Sequence, residues 1–373
     1  MERLRVVMVI PSLGGTGGLE RVATTLALAL APQLESLVVC FARRGPYEDT
    51  LRDAGIELVR IHRPRPRPDR MARAIAGLTP VVRRTRPDVI HAHNPAAGFA
   101  AAAARRLARS RASAVVTTFH GLAQERLGIA ARLLGSTSDA VIGVGASSTE
   151  LLLESGLDPA LATTIENAVV ATPSRSRDDV RAKLGVTEGE LVVNVGRYVP
   201  EKDQETLLAA LAQLAPHRPS LRAVLVGTGP LEQRLRVRIG ELGLEGVAEL
   251  TGPRADAVDV LAAADVVAIS SKSEGLPLVL LEAMALARPI ATTDVGSIGD
   301  AVANERSALV VPPGDPAGLA AALARLLDDR ALADRLGATA QADAASRFSI
   351  DAMAERTLAV YESAVAARRG RDS

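Results

Sequence analysis

The sequence predicts an α/β protein made of two successive domains. Short apolar runs that end in polar or glycine-rich turns alternate with helix-forming stretches, which is the pattern of α/β chains. The alternation fades through the polar stretch 174–179 and then starts again. A length of 373 residues suits two domains of ordinary size, and 48% hydrophobic with 23% charged residues describes a soluble globular chain.

In the first half, Arg5–Ile10 reads as a strand whose apolar run stops at Pro11, too short to cross a membrane and unlike a signal peptide. Pro11–Gly18 is a glycine-rich loop and Leu19–Ala31 a helix. Leu37–Phe41, Asp88–His93, Ala114–Phe119 and Ala140–Val144 read as further strands, with a helix from Pro95 and an alanine-rich stretch over 100–108 that Arg105 and Arg106 mark as soluble. Arg60–Pro68 alternates arginine with proline and reads as an extended loop. The glycine loop is not a Gly-x-Gly-x-x-Gly fingerprint, and no ribose-binding acid follows the second strand, which argues against a dinucleotide-dependent oxidoreductase. A domain boundary is expected at 172/173.

The second half restarts with the strand Leu191–Val195, a turn that holds Arg197 and Lys202, and a helix to Leu214. Leu221–Val226 is a strand entering a turn at Gly227, and Val247–Thr251 is another, followed by Arg254. Asp256–Ala264 reads as helical, Asp265–Ile269 as a buried strand, and Ile290–Thr293 as the next strand. Pro316–Leu327, Ala331–Ala345 and about Ile350–Ala367 read as helices.

Cys40 is the only cysteine, so no disulfide framework or thiol metal cluster exists, and a reducing cytoplasm fits. The net charge of +1 conceals an asymmetry. Residues 1–175 carry 22 Lys/Arg and 15 Asp/Glu, giving +7, while 176–373 carry 22 and 28, giving −6. The arginines of 60–67, with Arg83, Arg84, Arg86, Arg105, Arg106, Arg109 and Arg111, form either a solvated basic face or a surface for anionic headgroups or an anionic acceptor. Nucleic acid is not expected, because no recognition motif or stacking aromatics accompany them. Lysine occurs three times (Lys183, Lys202, Lys272) against 41 arginines, so a lysine in a motif stands out from the chain's background.

The most informative stretch is Ser273-Glu274-Gly275-Leu276-Pro277-Leu278-Val279-Leu280-Leu281-Glu282-Ala283-Met284. It reads as a turn, with Pro277 in the first turn of a helix where its missing N–H is not needed. Free N–H groups at the helix start attract anions, and Gly275 lets a ligand approach the backbone. From Pro277 to Glu282 the helix rises about 7–8 Å at roughly 1.5 Å per residue, so Glu274 and Glu282 stand too far apart to act as a retaining hydrolase pair. They suit opposite ends of one elongated ligand such as a nucleotide sugar. The plain alternative is a solvated turn residue and an exposed helix residue. Arg197 and Lys202, at another strand-to-helix turn, could neutralise a diphosphate. His120 falls at a strand's carboxyl end, where ligands of open α/β sheets sit. His91 and His93 lack nearby metal-ligand partners and read as structural.

The Glu-x7-Glu stretch, with Gly-Arg-x-x-x-Glu-Lys over 196–202, His120 and Gly14–Gly18, resembles the family-four, group 1 retaining glycosyltransferases of the GT-B fold, from Gly14 to about Tyr361. The resemblance implies an α/β GT-B fold: two Rossmann-like domains facing each other across a cleft, 1–172 on the acceptor side and 173–349 holding the nucleotide sugar, with a final helix (350–373) packing back on the first. It implies transfer from a UDP-sugar, with GDP as second choice, to a lipid-linked or polysaccharide acceptor at the cytoplasmic face of the inner membrane. A small soluble acceptor, such as an aminocyclitol, inositol phosphate or natural product, is the alternative, as is a non-catalytic nucleotide-sugar-binding subunit. No cofactor is implied, and two side-chain cations with a helix end would make a metal unnecessary. The implied roles are diphosphate stabilisation for Arg197 and Lys202, donor-sugar contacts for Glu274 and His120, and ribose contact for Glu282. Gly275, Leu276, Pro277, Leu278, Gly227 and Arg254 would line the donor site, and Gly15, Gly17 and Gly18 would meet phosphate or acceptor. The loops 166–170 and 294–300 depart from the family's usual sequences.

Overall fold

A computed structural model describes residues 3–14, 18–121 and 126–372. The chain divides into two compact units, Met1–Ala168 with Ile350–Ser373, and Val169–Ser349. The break therefore falls at Ala168/Val169 and not after residue 172.

The first unit holds seven strands: Arg5–Ile10 (β1), Ser36–Phe41 (β2), Glu57–Arg60 (β3), Val89–Ala92 (β4), Ala114–Phe119 (β5), Ala140–Gly143 (β6) and Ala162–Thr164 (β7). They lie in the order β3-β2-β1-β4-β5-β6-β7, all parallel. The second holds six: Glu190–Val195 (β8), Leu221–Val226 (β9), Ala248–Gly252 (β10), Val266–Ile269 (β11), Ile290–Thr293 (β12) and Leu309–Val311 (β13). Their order is β10-β9-β8-β11-β12-β13, again all parallel. In both sheets the chain reverses its direction of travel between neighbouring strands, β1 and β4 in one and β8 and β11 in the other. This doubly wound arrangement opens a crevice at the carboxyl ends of those two strands.

Strands buried on both faces explain the unbroken apolar runs. In the second unit Leu191, Val193, Val267 and Ile269 pack into one core with Val279, Leu280 and Met284. Val192, Val266 and Ala268 face the other, with Leu207, Leu211 and Leu323. This alternation is the two-residue period of a strand.

Several elements were not expected, among them two strands, the helix Arg177–Lys183 beginning within the polar stretch read as a break, and the helix Pro68–Thr85. β3 has a half-exposed pattern and β7 is three residues long, so neither forms an apolar run; both are edge strands. The helix Pro68–Thr85 follows the arginine–proline loop and buries Ala74, Leu78, Val81 and Val82, a legible helical spacing despite the internal Pro80. Arg105 leaves the exposed basic set: it is buried and bonds Asp139 at 2.6 Å and the Ser113 carbonyl at 3.2 Å. The final helix, Ile350–Asp372, belongs to the first unit and buries Tyr361 there. Among the described residues, no helix is long and apolar enough to cross a membrane.

Candidate functional site

Three loops meet at the carboxyl ends of β8, β11 and β12, the place a doubly wound sheet reserves for ligands. After β8 the chain runs through Gly196, Arg197 and a short 3₁₀ turn, Pro200–Lys202, to the helix Gln204–Leu214. After β11 it passes Ser270–Pro277 and enters the helix Leu278–Ala285. After β12 it turns at Asp294–Ser297.

The first two loops are tied together by backbone and side chains. The amides of Lys272 and Ser273 donate to the Glu201 carbonyl at 2.8 and 3.3 Å, and Ser270 Oγ donates to the Lys202 carbonyl at 3.1 Å. Lys202 Nζ forms an ion pair with Glu274 Oε1, which also accepts from Ser271 Oγ at 2.6 Å. Lys272 Nζ pairs with Asp203 Oδ2 at 3.0 Å, and Thr206 Oγ1 donates to the same oxygen at 2.6 Å. Asp203 is buried at a left-handed φ of 44°, a conformation few non-glycine residues adopt and one that these bonds sustain. Lys272 and Asp203 escaped the sequence reading, although the rarity of lysine that singles out Lys202 applies equally to Lys272.

The third loop braces the second from behind. Ser297 N donates to the Gly275 carbonyl at 3.0 Å, and Thr293 Oγ1 donates to the Ser271 carbonyl at 2.6 Å. Gly296 has φ +57°, and a Cβ there would lie 1.9 Å from the Glu274 carbonyl oxygen, so only glycine fits. A similar close approach joins the turns after β8 and β9: a Cβ on Gly227 would fall 1.8 Å from the Gly196 carbonyl oxygen.

The expected residues fall as follows. Lys202 and Glu274 come together, but as a pair bonded to each other and not as two independent ligand contacts. Arg197 is exposed, and its guanidinium forms no ion pair with a described residue. Pro277 occupies the N-cap, with extended backbone (φ −73°, ψ 131°), and not the first helical turn, and a proline offers no capping side chain of its own. Leu276 is buried in the core beneath the loop, while Gly275 and Leu278 are half-buried. Glu282 is 3% exposed, which rules out the exposed-residue alternative. The helix Leu278–Ala285 is too apolar to have a water face: Val279, Leu280, Leu281, Ala283 and Met284 are all buried around that carboxylate. Arg254 is engaged by Asp256 (2.9 and 2.8 Å), and its hydrogen bonds hold the Asp256 carboxyl below its usual range. Among the described residues, no three His, Cys, Asp or Glu side chains gather as a metal ion would need.

In the first unit, Gly15 and Gly17 lie outside the described residues, and Gly18 begins the helix Gly18–Leu30. His120 follows directly on β5, half-buried, and its Nε2 is 3.3 Å from His93 Nδ1. His91 is buried between Tyr361 Oη and Thr118 Oγ1, each at 2.7 Å, and its ring lies 4.3 Å from that of His93. Burial pushes His91 down to about 3 and His120 to about 4, and pushes His93 well below the usual histidine range. All three imidazoles are therefore neutral near pH 7.

Two doubly wound parallel sheets, with a lysine–glutamate pair at the switch point of the second, define a two-unit Rossmann-like α/β protein. Two family models cover the chain: "Glycosyltransferase Family 4" matches residues 16–193 and "Glycosyl transferases group 1" matches 176–343. A glycogen synthase of Mycobacterium tuberculosis is 30% identical over 306 residues, 77% of this chain and 71% of that protein. The chain belongs to the group 1, family-4 glycosyltransferases. A D-inositol 3-phosphate glycosyltransferase of Kineococcus radiotolerans is 38% identical over 259 residues, 62% of this chain and 59% of the relative. The chain spans about half the length of several curated relatives that it matches, 48% in one case and 55% in another. Among solved structures, Anabaena HepE in complex with UDP-glucose superposes with a TM-score of 0.85 at 24% identity, over 96% of this chain and all of that one, and the two share the GT-B fold.

Proposed function

We propose that this chain transfers a sugar from a nucleoside diphosphate donor to an acceptor hydroxyl, with retention of the anomeric configuration. The observation that carries the reading is the Lys202–Glu274 pair beside the start of the helix Leu278–Ala285. A diphosphate arriving there offers Lys202 a stronger counter-charge than Glu274 alone, and Arg197 has no ion-pair partner among the described residues to give up. As the anomeric carbon–oxygen bond to the diphosphate breaks, negative charge grows on the leaving phosphate. Arg197, Lys202 and the amides around Gly275–Leu278 stabilise it. The acceptor oxygen bonds to the same face of the sugar and its proton passes to the departing phosphate oxygen, so no enzyme nucleophile is needed. Released from Lys202, the Glu274 carboxylate accepts hydrogen bonds from donor-sugar hydroxyls. Glu282 is assigned to the ribose and His120 to the donor sugar. UDP is the favoured nucleotide, in keeping with the UDP-glucose bound by the Anabaena neighbour, and GDP is second.

For the acceptor, the exposed arginines of the 60–67 loop support an anionic, lipid-linked molecule met at the cytoplasmic membrane face. A small inositol phosphate is the second reading, favoured by the Kineococcus relative. Thermal unfolding with UDP, GDP and their sugars tests the donor half. At 100 times its dissociation constant a cognate nucleotide stabilises by about 2.7 kcal/mol, and no stabilisation by any of them rejects the proposal. Salt-sensitive binding to vesicles containing anionic lipid would favour the first acceptor. Turnover on inositol phosphate without vesicle binding would favour the second.

A further inference from the structure

The three-histidine cluster of the first unit is not used by the donor chemistry beyond His120, and its hydrogen bonding is unusually constrained. His91 has both ring nitrogens occupied, by Tyr361 Oη and Thr118 Oγ1. Its plane is thereby set, and His93 packs against it at 4.3 Å with a 36° tilt. His93 is fully buried, and its Nε2 has no hydrogen-bond partner among the described residues. Its Nδ1 meets only His120 Nε2, at 3.3 Å.

One proton must lie between those two nitrogens, and the two arrangements differ in what they strand. If His120 Nε2–H donates to His93 Nδ1, neutral His93 carries its own proton on Nε2, an N–H buried without an acceptor. If His93 Nδ1–H donates to His120 Nε2, the buried Nε2 of His93 is only an idle lone pair. Buried N–H groups without acceptors are rarer in proteins than buried acceptors left idle, so the second arrangement is favoured. His120 then carries its proton on Nδ1, which has no partner among the described residues.

We propose that His93 is a positioning residue that holds His120 as the neutral Nδ1–H tautomer, so that His120 offers a hydrogen-bond donor to an oxygen of its ligand. This rests on the assignment of His120 to the donor sugar made above. The burial that keeps the cluster uncharged acts in the same direction, since an imidazolium at His93 would face His91 and His120 with no carboxylate beside it among the described residues. The chemistry that fits is a sugar hydroxyl oxygen acting as acceptor. A group that can only donate would be rejected.

The test is nitrogen–proton correlation spectroscopy on the full chain labelled at histidine, where bare and protonated ring nitrogens resonate far apart. The chain has five histidines, so the signals are few, and His120→Asn assigns the one that matters. His120 is expected to show Nδ1–H and a bare Nε2 in the unmodified protein, and to lose that preference in His93→Phe. His93→Asn, whose amide N–H falls near the place of Nδ1–H, is expected to keep it. In steady-state transfer from the cognate nucleotide sugar, His93→Phe is expected to lose about tenfold in kcat/KM, and His93→Asn to stay within about threefold of the unmodified enzyme. Nδ2-type rescue of this kind would not follow from a purely packing role. An Nε2–H or imidazolium His120 in the unmodified protein overturns the proposal, even if His93→Phe fails to fold, and so does an unchanged His120 tautomer in folded His93→Phe. Wild-type turnover in His120→Ala would instead remove the donor-sugar role of His120, while the spectrum still decides the tautomer.

Discussion

Replacing Lys202 by alanine separates two jobs that the structure gives one side chain. Lys202 balances Glu274, whose side chain is 8% exposed while that of Lys202 is 21% exposed. Removing one partner of a fully buried pair costs about 3–5 kcal/mol. This pair reaches water at the lysine end, and Ser271 Oγ still donates to Glu274 at 2.6 Å, so a loss of about 1–3 kcal/mol in folding stability is expected. Turnover is a separate matter. If Lys202 stabilises the departing diphosphate, its loss lowers kcat by about 10²–10³, the size of one oxyanion-type donor. Glu274→Gln in the Lys202→Ala background removes the unbalanced charge and should recover most of the stability without recovering kcat. Denaturant unfolding and steady-state transfer on the four proteins complete the cycle. If Lys202→Ala lowers kcat no further in the Glu274→Gln background, Lys202 acts only by neutralising Glu274, and the leaving-group role is wrong.

Three further outcomes are expected. Glu282→Ala should mainly raise the donor KM, because ribose contacts are shared by the ground and transition states; a fall in kcat with unchanged KM would refute the ribose assignment. Gly296→Ala forces a Cβ to within 1.9 Å of the Glu274 carbonyl at a φ of +57°, so nucleotide-induced stabilisation in the thermal assay should fall sharply; unaltered stabilisation would show that the Glu274 loop does not contact the nucleotide. Folding stability should decline as pH falls below about 6.5, because His91 and His120 have folded values lowered to about 3 and 4 and the unfolded chain therefore binds more protons. Each such histidine contributes a slope of about 1.4 kcal/mol per pH unit between its two values. Between pH 6.5 and 5 carboxylates add little, so denaturant unfolding that is flat across that window would contradict burial of neutral imidazoles.

Much of the site could be read before any coordinates. The rarity of lysine, the turn positions of Arg197 and Lys202, and the Glu-x7-Glu spacing located the loops after β8 and β11, since strand–turn–helix punctuation is local chemistry. The same locality explains what stayed open and what was missed. Glu282 sits among helix formers at a spacing that fits an exposed position equally well, and only the packing of strand and helix around it makes it buried. β7 escaped because its three residues, Ala162, Thr163 and Thr164, pair with β6 alone at the sheet edge and form no apolar run.

By itself the sequence determined the alternation of strands and helices, the two-domain plan and the family, because each is written in residues a few positions apart. Tertiary structure decided who partners whom. Lys202 and Glu274 are 72 residues apart, and His91 and Tyr361 are 270 apart, and no spacing rule joins them. The order in which parallel strands line up brings the ends of β8 and β11 side by side, and that adjacency turns two separate motifs into one charged pair. It is a property of the sheet, which exists only once the strands have found their neighbours.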